Sequence, residues 1–388
     1  MPSENNTPAI RFAGFTGEWE RRKLGEICDE FKSGDFIPAS EISKLGTYPV
    51  FGGNGLRGFT QRHNHSGEYA IIGRQGALCG NVNYSTGQAY FTEHAIAVRA
   101  NRNNETRFIF YLLKLLNLGQ YSAQSAQPGL AVNKIIALQA LLPSKAEQTK
   151  VAAILSILDT LITLRRRKCE LLETLKKSML EKLFPKEGEL VPELRFAGFT
   201  GEWERRKLGE IAEIEGGGTP STIIPEYWDG QIDWYTPAEM EGLRYATESA
   251  RKITELGLYH SSAKVLPADR TVLFTSRAGI GKMAILKSPA ATNQGFQSLI
   301  LKDGYSCYFI YSMNRTIKAK AESIASGSTF LEISGKALGC LEVSVPSEEE
   351  QHHIAKFFES LDDIITLHRR KLEHLQNIKK ACLEKMFV

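Results

Sequence analysis

Two long stretches of the chain carry the hydrophobic pattern of coiled-coil helices. Apolar residues recur in both at alternating steps of four and three positions, over about four heptads. The first seam contains Val151, Leu155, Leu158, Ile162, Leu172 and Met179. The second contains Ile354, Phe358, Leu361, Ile365, Leu372 and Leu375. Polar residues interrupt both seams at the same two rungs, Arg165 and Lys176 in the first and His368 and Lys379 in the second. We expect the two helices to pack against each other as a coiled-coil pair.

Each stretch begins with a helix-start signal. A Pro-Ser pair places Ser144 and Ser347 at the N-cap, and Glu147 and Glu350 follow three residues later. This spacing predicts a capping box, in which the glutamate side chain bonds back to the N-cap backbone.

Short β-rich runs with turn signals fill the regions before the two helices. In the first region they are Tyr48–Phe51, the turn at 52–55, Tyr69–Ile72 and Phe91–Val98. In the second they are Val272–Phe274, Met283–Leu286 and Ser298–Leu301. Helices are expected at Phe108–Leu118 and Tyr308–Ala325. The pattern predicts an α+β fold for both regions.

The chain is an internal duplication. Residues 11–27 and 195–211 are identical over all seventeen positions, and 21 of 42 positions match between 143–184 and 346–387. We call the first pair the heads, the second pair the tails, and the intervening residues 28–142 and 212–345 the bodies. The bodies have diverged but share a common skeleton. We therefore predict four segments: domains at 1–142 and 187–345, and helices at 143–186 and 346–388.

Composition narrows the class of protein. The chain has 388 residues, of which 42% are hydrophobic and 24% charged, as in a soluble globular protein. Its apolar runs fall far short of the ~20 residues that a membrane span needs, and its amino end is polar, so we expect a cytoplasmic protein with no membrane partner. Six scattered cysteines without a CxxC pair argue against disulfides and structural zinc. The net charge of +4 does not by itself indicate nucleic acid.

The machinery of catalysis is missing from the sequence. It contains no phosphate-binding G-x-x-x-x-G-K-[ST] loop, no G-x-S-x-G elbow and no Asn-Pro or Asp-Pro dipeptide. His63 and His65 with Cys79 or His94 fit no standard metal pattern, and polar loop histidines are the better interpretation. We predict no catalytic residue and no metal ligand.

Polar side chains beside glycines are the candidates for contact with nucleic acid. Such loops can bring arginine and amide groups to base edges or phosphates, although they can equally be tight turns. The candidates are Asn54, Arg57, Arg74, Gln75, Asn81, Asn83, Thr219, Ser221, Arg277, Lys282, Asn293 and Gln294. Arg74 and Arg277 are predicted to occupy equivalent positions in the two bodies.

An ordered set of motifs resembles the specificity subunits of type I restriction-modification systems. It includes the repeated heads, the Pro-Ser-x-x-Glu-Gln opening of each tail, and the stretches 48–55, 73–76, 217–221, 227–230, 293–296 and 327–330. The resemblance covers essentially the whole chain, and the head, body and tail duplication is itself the architecture of that family.

This resemblance implies a DNA-binding role. Each body would be a target recognition domain that reads one half of a split site in double-stranded DNA, and the tails would form an antiparallel spacer that binds two methyltransferase subunits. S-adenosylmethionine, ATP and Mg²⁺ are expected on the methyltransferase and on the restriction and translocase subunits, and no cofactor is expected on this chain.

Three alternatives stay open from the sequence alone. A stand-alone DNA-binding protein would bind its site without a partner. A coiled-coil scaffold would bind proteins and leave no footprint on DNA. An undetected enzyme would show turnover from the isolated chain.

Overall fold

The computed structural model describes residues 6–76, 78–122, 129–327 and 331–388. Its contacts divide the chain into two compact units. The first unit holds the described residues up to Arg167 together with Arg369–Val388, and the second unit holds Lys168–His368. Each unit thus contains one head, one body, the first half of one tail helix and the second half of the other. The sequence predicted each tail as a segment of its own. In the structure each tail helix is divided between the two units, because its two halves pack on different bodies.

The tails form two α-helices of 38 residues each, Lys145–Lys182 and Glu348–Lys385. In the second unit Leu172 packs with Leu361 and Ile365. In the first unit Lys379 bonds Asp159, while the following turn of the same helix reaches the core beside residues 151–155. Within each unit the two helices therefore run in opposite directions. The predicted antiparallel pairing is confirmed.

Most seam residues are buried. Those with little exposure are Val151, Leu155, Leu158, Ile162, Leu172, Ile354, Phe358, Leu361 and Ile365. Met179, Leu372 and Leu375 are half-buried. The heptad pattern thus identified the covered side of both helices, as expected when helix packing rather than intrinsic propensity stabilises long helices.

The predicted capping boxes are wrong for the glutamates. The carboxylate of Glu147 accepts two hydrogen bonds from Arg11, at 2.7 Å each, and that of Glu350 accepts two from Arg195, at 2.8 and 2.6 Å. A forked arginine–carboxylate pair is stronger than one bond to a backbone N–H group. The glutamates therefore fasten each head to the start of a tail helix.

The first body consists of two four-stranded sheets and short helices. The strands of one sheet, in spatial order, are Cys28–Ser33, Ala95–Ala100, Tyr69–Gly73 and Val82–Ser85. Those of the other are Gly55–Thr60, Tyr48–Gly52, Gln88–Phe91 and His65–Ser66. The helices are Leu24–Glu26, Ala39–Glu41, Thr106–Leu115, Leu118–Tyr121 and Val132–Ile136. Head strand Glu20–Lys23 pairs with Gln139–Leu142.

The second body repeats this plan. Its larger sheet has the order Ala212–Gly216, Gln297–Leu301, Thr271–Phe274, Met283–Leu286 and Tyr245–Ala246. Its smaller sheet has the order Arg251–Ile253, Trp228–Tyr235 and Ala290–Thr292. The helices are Leu208–Ile211, Pro225–Tyr227, Pro237–Met240, Glu255–Tyr259, Cys307–Ser312, Asn314–Ile324 and Gly335–Gly339. Head strand Glu204–Lys207 pairs with Glu342–Val345.

One predicted strand is in fact two strands. The run Phe91–Val98 is interrupted at residues 92–94, because the N–H of Thr92 bonds Phe51 of the smaller sheet while Ala95 opens a strand of the larger sheet. The predicted helix Tyr308–Ala325 is likewise divided, at Met313. A run of apolar residues cannot show that its two halves enter different sheets.

Each head tryptophan packs into the core of its own unit. Trp19 lies edge-on to Phe108 and to Phe387, with ring centroids 6.0 and 6.2 Å apart. Trp203 lies edge-on to Phe184, at 5.9 Å. Phe387 is near the end of the second tail, and Phe184 is at the end of the first. The core of each unit therefore contains the end of the tail that belongs to the other repeat.

Candidate nucleic-acid interface

Glycines bring four of the predicted residues of the first unit together. A Cβ atom added at Gly73 would lie 2.2 Å from the carbonyl oxygen of Gly53, and one added at Gly53 would lie 2.9 Å from that of Gln75. The turn that carries Asn54 therefore approaches the loop of Arg74 and Gln75 more closely than side chains would allow. Asn83 lies against Gly55 on the same side. The exposed amides of Asn54 and Gln75 thus share one surface.

Hydrogen bonds to Glu93 and His94 hold this loop. The N–H group of Arg74 donates to the carbonyl of His94 at 2.9 Å, and Nη1 of Arg74 lies 3.5 Å from the carbonyl of Glu93. The Nδ1 atom of His94 lies 2.9 Å from Oε1 of Gln75. The backbone is thereby fixed, while the end of the Arg74 side chain keeps donors for a ligand.

Arg57 and Asn81 extend the polar surface. Both are exposed, and their side chains make no hydrogen bond or ion pair with other described residues. The stem of Arg57 covers Gly52, where an added Cβ would lie 2.5 Å from its Cδ atom. The carbonyl of Asn81 accepts the N–H group of Gly73, which places Asn81 at the same end of the sheet. An unpaired guanidinium on an exposed strand suits a phosphate or a base edge.

The corresponding end of the second body gathers three other candidates. The N–H group of Gly218 donates to Thr292 at 2.9 Å, and the hydroxyl of the adjacent Thr219 donates to Oε1 of Gln294. Oδ1 of Asn293 accepts the N–H group of Gly295 at 2.8 Å. These bonds join two loops into one polar edge.

Arg277 lies on the loop next to this edge. The preceding Ser276 donates its N–H to Gly295 at 2.8 Å, which ties the two loops together. Arg277 is half-buried, and its guanidinium has no partner within the described ranges. Like the guanidinium of Arg57, that of Arg277 is free to contact a ligand.

Two candidates of the second body fit the site less well. Nζ of Lys282 forms an ion pair with Glu241 at 2.6 Å, and this ammonium holds the pKa of the Glu241 carboxyl below its usual value. Ser221 is exposed, and its carbonyl accepts the indole N–H of Trp228 at 3.1 Å. Lys282 would have to exchange its partner before it could contact DNA.

The predicted equivalence of Arg74 and Arg277 is wrong by one residue. Arg74 donates to His94 and accepts from Leu130, whereas in the second body Ser276 donates to Gly295 and accepts from Ile333. The structural counterpart of Arg74 is therefore Ser276, and that of Arg277 is Gln75. The pattern of glycines hid this shift, because both loops turn through positive φ at the next position, Gly76 and Ala278.

Buried polar atoms without a partner lie beside both polar edges. Among the described residues, Nδ2 of Asn83, Oε2 of Glu93, Oγ of Ser276 and the hydroxyl of Tyr235 make no hydrogen bond. Burial raises the pKa of Tyr235, which keeps its phenol protonated. An unpaired buried polar group is costly, so groups of this kind are expected where a ligand or water completes them. Glu93, Ser276 and Tyr235 were not predicted, and the sequence carries no local signal for them.

The two lysines that interrupt the seams each form an ion pair with an aspartate of the other tail helix. Nζ of Lys176 lies 2.6 and 2.8 Å from the carboxylate of Asp362, which also accepts the Tyr308 hydroxyl at 2.7 Å. In the first unit Lys379 pairs with Asp159, which accepts the Tyr111 hydroxyl at 2.8 Å. Burial and the neighbouring carboxylate raise the pKa of both tyrosines.

A second apolar stripe on the tails is exposed. In the first unit it contains Leu161 and Leu164, which are 41% and 56% exposed, and in the second unit Ile364 and Leu367, at 44% and 50%. These positions are equivalent in the two repeats. Exposed apolar residues at helical spacing indicate contact with another helix.

The described residues show neither a candidate metal site nor a candidate membrane-spanning helix. The described part of the chain contains no group of three or more His, Cys, Asp or Glu residues that could hold a metal ion. His65 faces Glu30 and Asn64 instead. Among the residues that the structure describes, no helix has the length and apolar content that a membrane crossing needs. The stretch 328–330, one of the motifs of the resemblance, lies outside the described residues.

A family model matches both repeats, and known proteins match parts of the chain. A family model described as the type I restriction modification DNA specificity domain matches residues 16–174 and 200–377. The MjaIX specificity subunit of Methanocaldococcus jannaschii is 38% identical over 191 residues, 48% of this chain and 44% of that protein. The EcoprrI specificity subunit of Escherichia coli is 45% identical over 148 residues, 37% of each protein. The chain thus spans less than half the length of these two relatives.

A solved structure has the same fold. The S subunit of a type I restriction-modification system from M. genitalium superposes with a TM-score of 0.70 and 18% identity, over 98% of this chain and 99% of that one. The predicted α+β class, with two domains, long antiparallel helices and an internal duplication, is confirmed. Because the family model covers most of both repeats, the chain belongs to the type I restriction modification DNA specificity family and carries two copies of its domain.

Proposed function

We propose that this chain is the DNA-recognition subunit of a type I restriction-modification complex, in which each body reads one half of a bipartite site. The observation that carries the proposal is the polar edge present at the same place in both bodies. Loops on a rigid sheet are suited to direct contact with base edges, because the scaffold fixes the side chains in advance.

The two edges have the same backbone frame and different side chains. Arg74, Gln75 and Asn81 stand in the first body where Ser276, Arg277 and Lys282 stand in the second. Asparagine and glutamine pair well with adenine, and arginine pairs well with guanine. The two bodies would therefore recognise different base sequences, which makes the target asymmetric.

The repeated tails support the partners. The exposed pairs Leu161 and Leu164, and Ile364 and Leu367, offer the same surface twice. Two copies of a methyltransferase subunit would pack helices on them, and restriction and translocase subunits would join that assembly. The partners would bring S-adenosylmethionine, ATP and Mg²⁺, while this chain contributes specificity and no catalytic group. The complex would act on DNA in the cytoplasm.

Selection from random duplex DNA tests this proposal. The chain and the methyltransferase of its system would be purified together, and the DNA that they retain would be sequenced. We expect two blocks of conserved letters separated by a fixed gap. Equal enrichment by the chain alone would favour a stand-alone DNA-binding protein. No enrichment in either sample would favour a protein scaffold.

A further inference from the structure

Phe36 and Thr219 occupy the same place in the two bodies. The residue before each donates its backbone N–H group to the last residue of a strand in the smaller sheet. The acceptor is Phe91 in the first body, at 3.0 Å, and Thr292 in the second, at 2.9 Å. Each acceptor pairs in parallel with the strand that leads to the polar edge. Phe36 is therefore the counterpart of a residue that we expect to contact DNA.

The two side chains are used differently. The hydroxyl of Thr219 donates to Gln294. Phe36 has no hydroxyl, and its ring is 69% exposed. Glu93, which follows Phe91 by two residues as Gln294 follows Thr292, has a buried Oε2 atom without a hydrogen-bond partner. An exposed ring beside an unpaired carboxylate oxygen does not stabilise the fold, so a contact outside the chain is the better explanation of Phe36.

The ring of Phe36 belongs to the polar edge of the first body. Residues 92–94 lead from the strand beside Phe36 to the loop that carries Gln75. At the end of this segment His94 accepts the N–H group of Arg74, and its Nδ1 atom lies 2.9 Å from Oε1 of Gln75. Phe36 and Gln75 are both exposed and adjoin the same three-residue segment. One edge thus offers an aromatic ring and an amide to the same ligand.

The major groove of DNA offers a partner to each of these groups. Glutamine pairs with adenine through two hydrogen bonds, and the 5-methyl group of thymine is the apolar contact that the same groove presents. An amide and a ring on one edge therefore suit A·T pairs. Insertion of the ring between base pairs is the alternative, and it is typical of proteins that bind the minor groove. The amide and guanidinium groups of this edge would distinguish fewer base pairs in that groove.

We propose that Phe36 contacts the 5-methyl group of a thymine in the half-site that the first body reads. The inference rests on the proposed function and deepens it, because it assigns a base type to one of the two bodies. Thr219 has no ring, and its hydroxyl is held by Gln294, so the second body makes no equivalent contact.

Replacement of thymine by uracil tests this contact, because the two bases differ only in the 5-methyl group. The full chain would be purified with the methyltransferase of its system, and its bipartite motif would be determined by selection. Each thymine of the motif would then be replaced by deoxyuridine, one at a time, and the Kd measured by fluorescence anisotropy. In the half-site that Gln75→Ala relaxes, we expect one replacement to weaken wild-type binding about fourfold, as for the loss of one buried methyl group.

Variants of Phe36 should remove this response. Phe36→Ala should bind the thymine duplex about tenfold more weakly than the wild type does, and it should bind thymine and uracil duplexes alike. Phe36→Leu keeps an apolar group and should retain part of the difference between the two duplexes.

Leu45→Ala is the matched control. Leu45 is an 85% exposed apolar residue of the same body, and it precedes the start of strand Tyr48–Gly52, whereas the polar edge lies at the end of that strand. This variant should bind both duplexes as the wild type does. Thermal unfolding should be unchanged in all three variants, since the substituted side chains are exposed.

Three results would overturn the inference. One is a ratio of thymine to uracil affinity in Phe36→Ala that equals the wild-type ratio. Another is a first half-site without an A·T pair. The third is a loss in Phe36→Ala that is the same for every sequence, which would place the ring on the sugar-phosphate backbone or between bases. If the wild-type complex selects no bipartite motif, the proposed function fails together with the inference, so the selection step separates the two failures.

Discussion

The pair between Lys176 and Asp362 allows a quantitative test of how the tails are held together. The carboxylate of Asp362 receives three hydrogen bonds, two from the Lys176 ammonium and one from the Tyr308 hydroxyl, and its side chain is only 13% exposed. Asp362→Leu therefore leaves an ammonium and a buried phenol without an acceptor. Breaking a buried pair costs about 3 to 5 kcal/mol, and the 27% exposure of Lys176 reduces that cost.

We expect Asp362→Leu to lower the free energy of unfolding by about 3 kcal/mol, and Lys176→Met by about 2 kcal/mol. The double variant removes both charges and leaves only the phenol unpaired, so its cost should be about 2 kcal/mol. The coupling energy of the cycle is then about 3 kcal/mol.

Urea unfolding followed by tryptophan fluorescence is the assay. Trp203, Trp228 and Trp234 all lie in the second unit, so the signal reports mainly on the unit that contains this pair. The same cycle at Asp159 and Lys379 of the first unit would be followed through Trp19, and its coupling energy should be smaller because the Asp159 side chain is 39% exposed. Costs that simply add in the double variants would refute the view that the rungs act as pairs.

The structure supports four further predictions. Arg277→Ala should weaken specific DNA binding by about 1 to 3 kcal/mol and relax one half-site, as measured by competition with mismatched duplexes. Burial lowers the pKa of His65 from 6.5, so the unfolded chain binds a proton first and stability should fall as the pH drops below that value; thermal melts of His65→Leu should lose this dependence. Gly217→Ala would place a Cβ atom 2.1 Å from a backbone carbonyl, and a loss of about 2 kcal/mol or more is expected in urea unfolding. Burial raises the pKa of Cys28 to about 12, so iodoacetamide should modify the exposed Cys340 first, as read by mass spectrometry.

The sequence was sufficient for the features that repeat or have a period. The tail helices were predicted to within four residues at their ends, and seven of the nine runs assigned to strands, turns or helices in the bodies have close counterparts in the structure. The spacing of apolar residues within a single helix or strand shows which of its faces is buried, so these elements can be predicted from a short stretch of sequence. The stretch Phe91–Val98 failed because its two halves enter different sheets, which depends on distant strands.

For the two polar edges, the sequence predicted which types of residue would contact DNA. It did not predict their hydrogen-bond partners or how the two bodies correspond residue by residue. Asn54, Arg74, Gln75 and Asn83 came together because glycines allow their loops to touch, and the sequence does show those glycines. The one-residue shift between Arg74 and Arg277 did not show, because it is defined by hydrogen bonds to residues far along the chain. For the same reason Asp159 and Asp362 were missed as partners of the seam lysines, which lie 220 and 186 residues away.

The most direct test of the central claim is a map of DNA modification. Wild-type chain, Gln75→Ala and Arg277→Ala would each be coexpressed with the methyltransferase, and modified bases would be located by single-molecule sequencing. These two residues are structural counterparts on the two polar edges. We predict a bipartite motif for the wild type, loss of specificity in one half for Gln75→Ala, and loss in the other half for Arg277→Ala. A motif that changes in the same half for both variants, or in neither half, would contradict the assignment of one half-site to each body.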